Sequence, residues 1–154
     1  MRVSDIMTDA AVTDASDDTL AEASGKMWHQ QTGSLLVMEN DQLIGIVTER
    51  DLLRFVGEGG DPKSVNLRDV MSTDVVTVEP DTTLRDAAQL MFDHWFRHLP
   101  VVAKDGTVHG VISLRDLLTI LAESMDEPEV LQPLTGHSLV RDMRLRRIEA
   151  GDLD

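Results

Sequence analysis

The sequence contains no cysteine, which excludes disulfides, thiolate nucleophiles and cysteine-bound zinc or iron–sulfur centres. It has no apolar run approaching the ~20 residues that a membrane-spanning helix needs. Its first residues, MRVSDIMTD, lack the basic-then-apolar order of a secretory signal. The expectation is a cytoplasmic protein with no membrane partner. Positive charge is scarce: 14 Lys and Arg stand against 28 Asp and Glu, a net charge of -14, and lysine occurs only at Lys26, Lys63 and Lys104. Such a surface repels phosphate backbones, so nucleic acid is not an expected partner. A glycine-rich loop of the P-loop kind is absent too, as is any Ser/His/Asp arrangement outside the repeat described next, so an enzyme is not expected. The 154 residues, 42% of them hydrophobic, suffice for one compact domain or a two-lobed unit with a shared core.

The chain says most of its organisation twice. GIVTERDLL at 45 to 53 returns as GVISLRDLL at 110 to 118, and IMTDAAVT at 6 to 13 matches VMSTDVVT at 70 to 77. DTLAEASGKM at 18 to 27 matches TTLRDAAQLM at 82 to 91, pairing Leu20 with Leu84, Ala23 with Ala87 and Met27 with Met91. The last two of these matches lie 64 positions apart and the first lies 65 apart. GSLLVMENDQLIG at 33 to 45 aligns with HLPVVAKDGTVHG at 98 to 110 at a spacing of 65, which places one gained residue between Met91 and Pro100. Two units of roughly sixty residues follow, neither able to bury its apolar faces alone. The expected boundaries are 1–60 and 61–124, with a C-terminal extension at 125–154.

Each unit reads as a helix, a hairpin and a second helix. Apolar residues recur at intervals of three and four after Thr19 and Thr83, giving the first helix. Two short apolar runs around Asn40-Asp41, and again around Asp105-Gly106, give a strand, tight turn and strand. Thr48 and Ser113 are good N-caps for the second helix, which continues through Leu52, Leu53, Phe55 and Val56 or Leu117, Leu118, Ile120 and Leu121. The segment GEGGDPKS at 57 to 64 connects the copies. The fold class is therefore α/β, with two pseudo-symmetric units packed sheet to sheet and two related clefts.

This order, with Gly-hydrophobic-hydrophobic-(Thr/Ser)-x-x-Asp closing each hairpin, resembles the tandem cystathionine-β-synthase (CBS) domain pair, or Bateman module, over residues 1 to about 124. The resemblance implies a regulatory module that binds an adenosine-containing ligand, AMP, ADP, ATP or S-adenosylmethionine, with no required cofactor. It carries a ribose-binding role onto Asp51 and Asp116 and a ribose- and phosphate-side role onto Thr48 and Ser113. An ionised carboxylate accepts both vicinal ribose hydroxyls, and a hydroxyl at a helix N-terminus sits where free N–H groups favour phosphate. Gly45 and Gly110 allow close approach at the strand end. FRHLPVV at 96 to 102 resembles the basic dipeptide with which some members contact phosphate, giving that role to Arg97 and His98, against Thr32 and Gly33 in the first copy. Arg50 and Arg115 stand beside each Asp, and Thr13 and Thr77 match positions near the base or ribose. The family's habit of pairing modules implies a homodimer through Leu53, Val56, Leu118 and Leu121, with an effector protein as the other partner.

Plainer readings stand beside these. Thr-x-x-Asp is also a relative of the capping box, Arg50 and Arg115 serve equally as surface ion pairs, and Thr13 and Thr77 as ordinary strand residues. The alternative function is a ligand-free interaction or dimerisation scaffold with vestigial clefts. His94 and His98 are four apart, but no third ligand accompanies them and no metal is expected. Met27, Met91, Trp28, Phe92 and Trp95 read as core or interface, and VRDMRLRR at 140 to 147 as a short amphipathic helix.

Overall fold

A computed structural model of the chain describes residues 1–9 and 11–124. The chain divides into two compact units, Met1–Thr119 and Ile120–Asp154, and the first carries both copies of the repeat. The helix expected within 140 to 147 lies outside the described residues.

A 3₁₀ turn, Val3–Asp5, opens the chain. The first copy then runs β1 (Thr13–Ala15), α1 (Leu20–Gln30), β2 (Ser34–Glu39), β3 (Gln42–Thr48) and α2 (Glu49–Gly57). The second runs α3 (Leu67–Val70), α4 (Leu84–His94), β4 (His98–Val102), β5 (Val108–Ser113) and α5 (Leu114–Ser124). Local chemistry explains the helix starts: the Thr19 hydroxyl accepts the Glu22 N–H at 3.2 Å and the Thr83 hydroxyl accepts the Asp86 N–H at 3.1 Å. Both helices end on a left-handed residue, Gln31 and Trp95. Met27 and Met91 are buried as expected, whereas Trp28 and Phe92, one position on, are exposed and do not belong to the core. His94 closes α4 and His98 opens β4, so the two histidines do not share a helix face.

The hairpins correct the repeat alignment. Ser34 pairs with Thr48, and Leu35 with Val47; His98 pairs with Ser113, and Leu99 with Ile112. The 64-residue spacing therefore persists through β2 and β4. Even the bulges correspond, between Val37 and Met38 and between Val101 and Val102. The extra residue sits in the turn instead. Glu39 and Gln42 pair around Asn40 and Asp41, both left-handed, as a two-residue turn requires. The Ala103 N–H reaches the Thr107 carbonyl at 2.9 Å around a three-residue loop with Gly106 at φ +88°. Structural counterparts of Arg97 and His98 are thus Gly33 and Ser34, not Thr32 and Gly33.

Thr77 also departs from expectation. β1 pairs in parallel with β2, and the Leu36 N–H donates to the Val12 carbonyl at 2.9 Å. The residue matching Leu36 is Pro100, which has no N–H to offer Val76. Copy two's ladder therefore shrinks to a single bridge between Val78 and Val101, and Thr77 lies outside any named strand.

The two opening segments are exchanged. Val3 is buried in the second copy's core with Val78, Ala87, Met91, Leu99, Val101 and Ile112. Leu67 is buried in the first copy's core with Leu20, Ala23, Met27, Leu35, Val37 and Val47. The hydrogen bonds repeat across this exchange: Val3 N–H to Thr82 and Ser4 N–H to Pro80 on one side, Leu67 N–H to Asp18 and Arg68 N–H to Ser16 on the other, all at 2.9 to 3.0 Å. Further along, Thr8 exchanges two backbone bonds with Val111, and Ser72 with Ile46. Glycines inside β3 and β5, rather than at their ends as expected, admit these crossings. A Cβ on Gly110 would overlap the Thr8 carbonyl oxygen, and one on Gly45 would overlap the Met71 side chain.

One core position breaks the symmetry. Where the second copy has Val78 and Leu90, the first has Asp14 and Lys26, joined as an ion pair. The Asp14 side chain is 1% exposed, against 51% for Lys26, and Asp14 Oδ2 has no hydrogen-bond partner. Removing the cation alone strands a buried carboxylate, whereas the apolar pair of the other copy is a ready replacement. Lys26→Leu should therefore destabilise by about 1 to 3 kcal/mol, below the range of fully buried pairs because Lys26 is half exposed. Adding Asp14→Val should restore or exceed native stability in urea unfolding; a double variant no more stable than the single would contradict this.

Candidate ligand-binding cleft

The β5–α5 junction carries the second copy of the repeated motif. The Ser113 N–H and hydroxyl both donate to Asp116 Oδ2 at 2.7 Å, and the Asp116 N–H returns to the Ser113 oxygen at 3.3 Å. This is a capping box that fixes the carboxylate at the helix start. In the first copy the Thr48 N–H and hydroxyl likewise donate to Asp51 Oδ2, both at 2.7 Å. The capping reading of the motif is therefore realised in both copies, and through one carboxylate oxygen only.

The second oxygen distinguishes them. Asp51 Oδ1 is approached by Arg54 at 3.5 Å. The counterpart of Arg54 is Thr119, whose hydroxyl donates to the Arg115 carbonyl at 2.9 Å. Asp116 thus has no arginine at that place.

Beside Asp116 lies a cleft of about 580 Å³, lined from both copies. The second copy supplies Arg97, His98, Ser113, Arg115 and Asp116; the first supplies Thr8, Val12, Thr32, Gly33, Ser34 and Glu49. Thr8 is there because the opening segment crosses to pair with Val111. Of the residues singled out in the sequence, Arg97, His98, Ser113, Arg115 and Asp116 come together here. Thr13, Thr48, Arg50, Asp51 and Thr77 are not among those lining it. Thr13 and Thr77 are exposed, and Ala11 and Val12 stand at the cleft in place of Thr13.

Ser34 was not legible as a site residue. It is 3% exposed, and its hydroxyl has no hydrogen-bond partner. A buried hydroxyl without a partner costs roughly 1 to 3 kcal/mol, and Ser34 carries that cost at a residue lining the cleft. Only correct alignment with His98 could have drawn attention to it.

His98 titrates below its ordinary value of 6.5, first because it is buried and next because Arg97 is close; Glu49 and Asp116 oppose the shift and Arg115 adds to it. At neutral pH the imidazole is uncharged.

The chain belongs to the CBS-domain family as a tandem pair, the family profile matching residues 3–58 and again 67–123. It is 38% identical over 111 residues to MK0525 of Methanopyrus kandleri, covering 71% of this chain and 57% of that one, so it spans little more than half of that relative. The CBS-domain containing protein ATU1752 from Agrobacterium tumefaciens superposes with a TM-score of 0.71 at 27% identity, over 78% of this chain and 98% of that one. The CBS domain pair of MJ0100, solved in complex with 5'-methylthioadenosine and S-adenosyl-L-methionine, shares the fold at a TM-score of 0.75 and 20% identity, over 80% and 98% of the two chains.

The lowered His98 value has a stability consequence. The unfolded chain accepts a proton that the folded site resists, so folding stability is lost as pH falls below 6.5. In urea unfolding at pH 7.5 and 5.5, roughly one unit either side of that value, His98→Gln should show a smaller loss at the lower pH than the native protein. An equal loss in both would contradict the assignment.

Proposed function

We propose that this chain is a regulatory module that binds an adenosine-containing ligand in the cleft at Asp116 and signals occupancy through a change in how its two copies pack. The observation that carries the reading is the convergence of Asp116, Ser113, Arg97 and the unpartnered Ser34 hydroxyl in one cleft of about 580 Å³. That volume lies within the ~300 to 1,000 Å³ of small-molecule sites. Asp116 keeps Oδ2 in its cap and has a second oxygen with which to accept ribose hydroxyls. Arg97 and Arg115 supply charge for a phosphate, or for a carboxylate such as that of S-adenosylmethionine. The ligand complex of MJ0100, which has the same fold, supports the class of ligand.

Signalling follows from where the walls come from. A ligand that touches Thr8 and Ser34 of one copy and Asp116 of the other favours whichever arrangement brings them closest, provided it binds the two arrangements unequally. The receiver is an effector protein or a second copy of the chain in the cytoplasm. Leu53, Val56, Leu118 and Leu121 are all about half exposed or more, and they offer the apolar surface for a homodimer.

Thermal unfolding with adenosine, AMP, ATP or S-adenosylmethionine tests this. A ligand at a hundred times its dissociation constant should add ~2.7 kcal/mol. Asp116→Ala should abolish that gain, while Asp51→Ala should keep it. Ser34→Ala should stabilise the free protein by about 1 kcal/mol, because it removes an unsatisfied group, yet reduce the ligand's effect. No stabilisation by any of the four ligands would overturn the reading in favour of a scaffold with vestigial clefts.

A further inference from the structure

Among the described residues four charged side chains line the cleft, Glu49, Arg97, Arg115 and Asp116, and their formal charges cancel. Glu49 is the first residue of α2, in the first copy. Arg97 precedes β4, in the second. They meet across the cleft with Arg97 Nη2 at 3.4 Å from Glu49 Oε2. Across the pseudo-twofold the corresponding residues are Leu114 and Gly33, so the pair has no symmetric twin. Gly33 leaves room for it: a Cβ there would lie 3.2 Å from Glu49 Oε2 and 2.8 Å from His98 Cε1.

Resting on the adenosine reading above, we propose that Glu49 is a specificity residue, an internal carboxylate that holds Arg97 and restricts the cleft to adenosine compounds bearing no more than one phosphate. An incoming phosphate must displace Glu49 from Arg97, and the displaced carboxylate remains beside it. One phosphate then shares Arg97 and Arg115. Each further phosphate adds negative charge close to Glu49 and Asp116, with no third guanidinium among the described residues of the wall to balance it. His98 does not fill that gap at neutral pH, because burial keeps it uncharged. The same carboxylate tolerates a ligand with a positive centre, such as a sulfonium.

The test compares calorimetric affinities of adenosine, AMP and ATP for the full chain and for Glu49→Gln, with inorganic triphosphate as a probe that lacks the nucleoside. The native protein should bind AMP more tightly than ATP. Glu49→Gln should raise the affinity for ATP and for inorganic triphosphate about two- to fivefold, the range of a half-exposed ion pair, and change that for adenosine by less. In a chain that already carries Arg97→Gln, adding Glu49→Gln should no longer produce that gain. Native binding of ATP as tight as AMP, or an unchanged ratio in Glu49→Gln, would overturn the proposal while leaving the adenosine reading intact. If no adenosine compound binds either form, that reading fails separately, and inorganic triphosphate affinity unaffected by Glu49→Gln would then overturn the role of Glu49 as well.

Discussion

Everything in the first unit depends on the reciprocal exchange of its opening segments. A copy of roughly sixty residues with a two- or three-stranded sheet cannot close a core by itself. Each copy completes the other's: Val3 fills the core around Met91 and Ile112, and Leu67 the core around Met27 and Val47. Val3 and Leu67 are fully buried, and matching backbone bonds anchor both segments. The exchange also makes the cleft. Because the opening segment crosses to Val111, Thr8, Ala11 and Val12 become a wall for Ser113 and Asp116 rather than for their own copy's Thr48 and Asp51.

The backbone is nearly symmetric, but the side chains are not, and the differences gather on one side. Gly33 and Ser34 face Arg97 and His98 in the same cleft, so a small pair and a cationic pair that are structural counterparts share one space. Glu49 stands where the other copy has Leu114. Asp51 has Arg54 for company, whereas the matching neighbour of Asp116 is Thr119. Duplication supplies the frame, and divergence at a few positions concentrates charge and an unsatisfied hydroxyl at the Asp116 corner.

Much of this was legible in the sequence because it is local. Thr19, Thr83, Thr48 and Ser113 cap their helices through side chains three residues away or less, and Asn40-Asp41 selects its turn through left-handed backbone alone. The repeat revealed the copies and their order. What was not legible is non-local or depends on register. Sequence alignment puts the gained residue before Pro100 because the hairpin turn and the strand ahead of it look alike when slid by one, and only strand pairing fixes it at 104 to 106. That slip hid the equivalence of Ser34 with His98. Thr77 was expected on a strand whose ladder depends on an N–H that Pro100, on the facing strand, does not have. Neither the crossing of Val3 and Leu67 nor the burial of Asp14 against Lys26 leaves a mark in hydrophobic periodicity. The cap and the ribose role proposed for Asp116 are compatible because they use different oxygens of one carboxylate.

The central claim is that the cleft at Asp116, and not its counterpart at Asp51, is the working site. The most direct test is backbone amide NMR of the full chain titrated with AMP. Saturable shifts confined to Thr8, the segment from Thr32 to Ser34, Arg97 to His98 and Ser113 to Asp116 are the predicted result. Shifts centred on Thr48 to Asp51, or none at saturating nucleotide, would contradict it.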